Sequence, residues 1–111
     1  MDLRNPGLRV ASPEKTMGKA IEKVARKYLI SGRVQGVGFR FFAEDWATQL
    51  GICGYAKNLW DGGVEVYAIG SLGALEEFKR QLAEGPRSAR VTNLEESDAA
   101  LDKSYNRFEI R

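Results

Sequence analysis

The sequence predicts an α+β fold in which two helices cover one face of an antiparallel sheet. Two segments have apolar residues at helical spacing, one beginning at Phe39 and the other at Leu72. Stretches rich in β-branched and aromatic residues precede, separate and follow these segments, and glycine-containing turns connect them. In a chain of 111 residues, this mixture is typical of one domain of the α+β class.

The first strand is predicted over Arg26–Arg33, because β-branched and aromatic residues favour a strand there. The first helix is predicted over Phe39–Leu50, and Gly51 is well suited to end it. The apolar residues of this segment recur at i, i+3, i+4, i+7, i+8 and i+11, so they form one stripe that we expect to pack on the core. They are Phe39, Phe42, Ala43, Trp46, Ala47 and Leu50.

The middle of the chain predicts a hairpin and a second helix. Two strands are predicted over Ile52–Leu59 and Val64–Ile69, joined by a turn at residues 61–63, which read Asp-Gly-Gly. The second helix stops before Gly85 and Pro86. Its apolar face consists of Leu72, Leu75, Phe78 and Leu82.

The C-terminal part has a weaker pattern. A strand is predicted over Arg87–Glu95, a polar loop over Ser97–Ser104, and a last short strand over Tyr105–Arg111. The complete order is β-α-β-β-α-β-β, which is typical of the split β-α-β, or ferredoxin-like, arrangement. That arrangement is what places both helices on the same face of the sheet.

Charge is unevenly distributed along the chain. Residues 1–27 contain seven Lys or Arg and three Asp or Glu, whereas residues 28–111 contain ten and twelve. We therefore divide the chain into an N-terminal extension over 1–24, expected to be mobile or partly helical, and a folded domain over 25–111. A translation start at Met17 is an alternative explanation for the extension. Because the folded domain is slightly acidic, we expect no nucleic-acid partner.

The chain has one cysteine and no histidine. A single cysteine cannot form an internal disulfide, which is typical of a reducing compartment, and no apolar run approaches the length of a membrane span. We therefore predict a cytoplasmic protein with no membrane segment. We also expect a monomer. Cys–His and Ser–His–Asp catalysis are excluded, and no residues have the spacing of metal ligands. Accordingly, we predict no metal and no cofactor.

The segment Gly32–Arg40 reads Gly-Arg-Val-Gln-Gly-Val-Gly-Phe-Arg and connects the first strand to the first helix. Its three glycines allow left-handed backbone conformations and close approach of an anion. Successive N–H groups that lead into a helix N-terminus form an anion site, and the fork of donors on Arg40 suits a phosphate. The alternative interpretation is a tight strand-to-helix turn with an Arg in the first helical turn.

Three sequence blocks together resemble the acylphosphatase family. They are the segment at 32–40, Leu-Gly-Ile-x-Gly-Tyr at 50–55, and Lys-Asn-Leu-x-Asp-Gly at 57–62, which is followed by Val-Glu at 64–65. The resemblance runs from about Ala25 to Arg111. It implies hydrolysis of the mixed anhydride of a carboxylic and a phosphoric acid, with an acyl phosphate as substrate and inorganic phosphate as a product. The sequence departs from the family pattern at Tyr55 and Ala56, where Trp and Val are usual.

The resemblance also implies individual roles. Arg40 would bind the phosphate and Asn58 would orient the attacking water. A neutral amide can accept from the water and donate to another oxygen without repelling a dianion. The alternative role for Asn58 is that of a residue before a hairpin turn. The implied phosphate-binding loop consists of Val34, Gln35, Gly36, Val37, Gly38 and Phe39.

A second function remains open on the sequence alone. A domain of the same fold can be a non-catalytic phosphoanion-binding or regulatory module. Domains of this kind also occur inside a much longer carbamoyltransferase of hydrogenase maturation. Hydrolysis of a generic substrate such as benzoyl phosphate separates the two functions, because a pure binding module would show none.

Overall fold

Five strands and two helices form residues 22–111, which are the residues that the computed structural model describes. The extension predicted over 1–24 lies outside these residues, except for its last three. Neither helix in the described part is long and apolar enough to cross a membrane. The elements are β1 (Lys23–Arg33), α1 (Phe39–Leu50), β2 (Cys53–Asn58), β3 (Val64–Ser71), α2 (Leu72–Glu84), β4 (Arg90–Ala99) and β5 (Phe108–Ile110).

The strands form one sheet in the order β4-β1-β3-β2-β5. The first four are antiparallel to their neighbours, whereas β5 is parallel to β2. The predicted fold class is confirmed, with two helices packed on a five-stranded sheet, but that sheet is mixed and not wholly antiparallel. The parallel pair follows from the directions of the strands. The chain runs along β4 in the direction opposite to β1 and β2. It then turns back to reach the other edge of the sheet, so β5 runs in the same direction as its neighbour β2.

The core lies between the two helices and one face of the sheet. Strand residues on this face alternate with residues that point to the opposite face, as period-two geometry requires. Two edge-to-face aromatic pairs connect the layers, since Phe78 of α2 lies 6.2 Å from Tyr28 and 6.0 Å from Phe108 between ring centroids. The buried residues of this core include Tyr28, Ile30, Phe39, Ala43, Ala47, Val64, Val66, Leu75, Phe78 and Leu82.

The opposite face of the sheet carries three packed tyrosines, Tyr55, Tyr67 and Tyr105. The hydroxyl of Tyr67 donates to the carbonyl oxygen of Ala100 at 2.6 Å, which holds the loop after β4 against this face. Burial, together with a hydrogen bond to the Glu65 carboxylate, raises the pKa of Tyr55 well above its usual value. The loop after β4 therefore covers the part of this face that carries the tyrosines.

Every predicted strand differs from the structure in at least one of its bounds, and the largest differences are in β1, β4 and β5. β1 begins at Lys23, three residues before the predicted start. The polar loop predicted over Ser97–Ser104 was wrong at its start, because β4 continues to Ala99. β4 is an edge strand whose side chains are mostly exposed, so its sequence lacks the apolar alternation that indicates a strand. The last strand is limited to Phe108–Ile110, since Tyr105 packs on the tyrosine face before pairing begins.

Candidate active site

The loop over residues 34–38 connects β1 to α1 and has an unusual backbone. Gly36 and Gly38 have φ angles of 74° and 77°, in the left-handed region that glycine adopts without strain. Gly38 is also the N-cap of α1, and no side chain caps this end of the helix. Within residues 22–111, the amide N–H groups of residues 35–41 donate to no backbone carbonyl. A run of free N–H groups at a helix N-terminus is a site for an anion.

Two side-chain contacts hold this loop in place. The side-chain amide of Gln35 donates to the carbonyl oxygens of Leu59 and Gly63, each at 2.8 Å, and so ties the loop to the β2–β3 hairpin. The hydroxyl of Ser88 donates to the carbonyl oxygen of Val37 at 2.9 Å. These hydrogen bonds fix the backbone of the loop from two sides, which limits the arrangements that its amides can adopt.

A cavity of about 230 Å³ opens at this end of α1. Arg40, in the first turn of α1, is half-buried at its wall. One of its guanidinium nitrogens, Nη1, donates to the backbone oxygen of Arg111 at 2.6 Å. That contact orients the guanidinium while its other N–H groups remain available as donors. The lining residues are Val34, Gly36, Gly38, Phe39, Arg40, Phe41 and Asn58.

Asn58 reaches the cavity from a different element, the C-terminal end of β2. It pairs with Val64 across the hairpin. The turn that follows is closed by a hydrogen bond from the N–H of Leu59 to the carbonyl oxygen of Gly63 at 2.8 Å. Asn58 is therefore held by the hairpin register, and its exposed side chain lies opposite the N-terminus of α1.

The electrostatics of the cavity favour an anion. Of the described residues that line it, Arg40 alone carries a charge, and the others contribute apolar groups, free amides or the Asn58 amide. The whole chain contains no histidine. The arrangement can bind a phosphoryl group and position a polar molecule beside it. Its lining offers no side chain that would remove a proton near neutral pH.

The predicted site residues divide into two groups. Arg40, Asn58 and four residues of the predicted loop line the cavity. Gln35 and Val37 do not line it, because the Gln35 side chain braces the hairpin and Val37 packs against the core. Gly32, which the sequence pattern grouped with the loop glycines, also lies outside the lining. An added Cβ there would lie 2.1 Å from the carbonyl oxygen of Arg90, so this glycine permits close pairing with β4.

One lining residue, Phe41, was missed by the sequence analysis. The apolar stripe of α1 passes through Phe39 and Phe42, and Phe41 falls outside its period. An aromatic residue that breaks the stripe directly beside Arg40 is the signal that could have identified it.

Comparison with known proteins identifies the family of this chain. A family model described as Acylphosphatase matches residues 26–110. The chain belongs to the acylphosphatase family. Every residue that lines the cavity falls within the matched segment. An acylphosphatase of Solibacter usitatus is 52% identical over 87 residues, which are 78% of this chain and 90% of that relative.

Solved structures agree with membership in the acylphosphatase family. The crystal structure of acylphosphatase from Bacillus subtilis matches with a TM-score of 0.76 and 33% identity, covering 79% of this chain and 98% of that chain. Full-length HypF in its phosphate- and nucleotide-bound form matches with a TM-score of 0.75 and 27% identity. That match covers 85% of this chain but 12% of HypF, so an acylphosphatase-like unit is a small part of a larger protein there.

Proposed function

We propose that this chain is an acylphosphatase, which hydrolyses acyl phosphates to a carboxylate and inorganic phosphate. One observation carries the proposal: Arg40, Asn58 and the glycine loop converge on a single cavity although they come from different elements. Membership in the acylphosphatase family supports the same reaction.

The phosphoryl group occupies the end of the cavity formed by the loop. Its oxygens accept hydrogen bonds from free amides of the loop residues that line the cavity, where the helix N-terminus favours negative charge. Arg40 adds charge-assisted hydrogen bonds in a fixed fork, which suits two oxygens of one phosphate. These contacts strengthen as charge moves onto the phosphoryl oxygens in the transition state.

Asn58 positions the water that attacks phosphorus. The oxygen of water forms a bond to phosphorus while the bond between phosphorus and the bridging oxygen breaks. The carboxylate leaves with the electron pair of that bond. One proton of the water passes to a phosphoryl oxygen, so the dianionic substrate RCOOPO₃²⁻ and water give RCOO⁻ and H₂PO₄⁻. Because a carboxylate is a weak base, it needs no acid to leave, and phosphoryl transfer proceeds by positioning and electrostatics.

The test is the hydrolysis of benzoyl phosphate by the purified chain. We expect turnover without added metal and competitive inhibition by inorganic phosphate, because phosphate fits the same amides. We also expect kcat to stay nearly flat from about pH 5 to 7.5, since no histidine or other lining group titrates there. A one-proton limb near neutral pH would reveal a protein base and contradict this mechanism. Noncompetitive inhibition would place the anion site elsewhere.

The alternative is a phosphoanion-binding or regulatory module that does not turn over its ligand. The likeness to a small part of HypF favours keeping it, because there the acylphosphatase-like unit belongs to a larger protein. Phosphate binding by calorimetry with no hydrolysis of benzoyl phosphate would establish the module in place of the enzyme.

We further propose that residues 25–111 are sufficient for activity and that the protein is a cytoplasmic monomer without a nucleic-acid partner. The family match begins at residue 26, and the cavity residues all follow it. A chain shortened by residues 1–16 should keep kcat/KM within about tenfold, or ~1.4 kcal/mol of barrier. Light scattering of the full chain tests the monomer, and salt-dependent retention on RNA would contradict the absence of a nucleic-acid partner.

A further inference from the structure

Phe41 is an aromatic side chain that the fold does not use. It is the third residue of α1 and is 62% exposed, whereas Phe39 beside it is 1% exposed and packs in the core. One and two turns further along the helix, Asp45 and Thr48 are also exposed. Phe41 therefore lies on the solvent-facing side of α1, where an apolar side chain adds little to folding.

Phe41 also lines the cavity that holds Arg40 and Asn58. The other two large apolar residues of the lining, Val34 and Phe39, are each 1% exposed and have no free surface to offer a ligand. Among the described lining residues, Phe41 is thus the apolar side chain that a ligand in the cavity can contact over a substantial area.

The position of the phosphoryl group determines what meets Phe41. If the loop amides and Arg40 bind the phosphoryl oxygens, the acyl group must leave through the mouth of the cavity. An exposed side chain in the lining is at that mouth. We propose that Phe41 is a specificity-determining residue that packs against the acyl group and favours substrates with an aromatic or extended apolar acyl group over acetyl phosphate. The inference rests on the proposed function.

The chain supplies a matched control in Trp60. This residue is fully exposed in the turn after Asn58, but it does not belong to the cavity lining. Phe41→Ala and Trp60→Ala each remove one exposed aromatic ring near the site, and only the first removes part of the cavity wall. Phe41→Leu keeps an apolar side chain and loses the aromatic face.

The experiment measures kcat and KM for benzoyl phosphate and acetyl phosphate in the wild type and these three variants. The selectivity is the kcat/KM for benzoyl phosphate divided by that for acetyl phosphate. We expect Phe41→Ala to lower this selectivity by roughly threefold to tenfold, the range typical of one aromatic contact. The change should appear mainly in KM for benzoyl phosphate, because the contact is equal in the ground and transition states. The phosphate inhibition constant should not change, since phosphate has no acyl group. Trp60→Ala should keep the wild-type ratio of kcat/KM for benzoyl phosphate to that for acetyl phosphate. The ratio for Phe41→Leu should lie between those of the wild type and Phe41→Ala.

A ratio that Phe41→Ala leaves unchanged, or that Trp60→Ala lowers as much, overturns the inference while the hydrolase activity stands. A second measurement tests the apolar contact even if the protein is not a hydrolase. It compares the binding of the non-hydrolysable probes benzylphosphonate and methylphosphonate by calorimetry. If the wild type hydrolyses neither acyl phosphate, the proposed function fails. A preference for benzylphosphonate that is lost in Phe41→Ala would still support the apolar contact, and no preference would overturn it.

Discussion

The two helices of this protein begin in opposite ways. The N-cap of α2 is Ser71, whose backbone is extended and whose hydroxyl accepts a hydrogen bond from the N–H of Ala74 at 3.2 Å. The N-cap of α1 is Gly38, whose backbone is left-handed, and no side chain caps the N-terminal amides of this helix. Both helices pack on the same face of the same sheet, so the difference between them is local.

The charges near the two helix N-termini also differ. Neither helix has an acidic residue in its first turn, but α1 has Arg40 there, at the end where the helix dipole disfavours a cation. An uncapped helix end with a cation beside it is unfavourable until an anion joins them. The start of α2 is therefore stabilised by its own side-chain cap, whereas the start of α1 has no cap and is where we propose that the phosphoryl group binds.

The largest expected effect is the loss of activity in Arg40→Ala. We expect kcat/KM for benzoyl phosphate to fall by roughly a thousandfold or more, because the transition state loses a charge-assisted clamp. Arg40→Lys should fall nearly as far, since a point charge cannot reproduce the fork. The free energy of unfolding in urea should change by less than about 1 kcal/mol, because the side chain is part-exposed.

Arg80→Ala is the matched control, since Arg80 is an exposed arginine on α2. It should leave activity unchanged. Near-normal turnover in Arg40→Lys would mean that charge alone matters at the α1 end, and the proposed fork would be wrong.

Asn58→Ala tests the side chain that β2 contributes to the cavity. We expect kcat to fall by roughly a hundredfold to a thousandfold, as when one well-placed hydrogen-bonding group is removed from a transition state. The phosphate inhibition constant should stay close to that of the wild type, because the proposed phosphate site is at the start of α1 and does not include the Asn58 amide. Asn93→Ala, at an exposed position of β4, is the control and should have no effect. If Asn58→Ala keeps its turnover, this residue acts only as part of the hairpin.

Some elements were predictable because their signals are local. The bounds predicted for α1 match those observed, since a stripe at helical period lies between Gly38 and Gly51, both with positive φ. The direction of β5 was not predictable, because it depends on which edge of the sheet the chain returns to. The end of β4 was missed because an exposed edge strand needs no apolar pattern.

The site shows the same division. Arg40 and Asn58 are 18 positions apart, and nothing in residue spacing alone says that the end of β2 lies beside the start of α1; the family resemblance indicated it. The role of Gln35 as a brace was also hidden, because its partners are backbone carbonyls of a distant hairpin. Phe41 was hidden because its exposure is known only once the helix is placed on the core.

A pair of glycine substitutions sharpens the comparison at the level of the backbone. An added Cβ at Gly38 or at Gly73, in the first turn of α2, would meet nothing within 4 Å, so neither change introduces a clash. Gly38→Ala should still lose about 1–2 kcal/mol of stability, because φ is 77° there. It should also lower kcat/KM as the loop amides shift. Gly73→Ala should be neutral or stabilise by up to about 1 kcal/mol and keep full activity. Equal behaviour of the two variants would remove the distinction between the helix starts.

Ser71→Ala removes the side-chain cap of α2 and should change stability alone. The loss of this hydrogen bond should lower the free energy of unfolding by about 1 kcal/mol. In a domain of this size that lowers Tm by roughly 4–8 °C, while kcat/KM stays unchanged. Inorganic phosphate at about a hundred times its Kd for the wild type should add about 2.7 kcal/mol to the free energy of unfolding of the wild type and of Ser71→Ala, and much less to that of Arg40→Ala. Thermal unfolding with and without phosphate measures all three. If phosphate also stabilised Arg40→Ala fully, the anion would be bound somewhere other than the open end of α1.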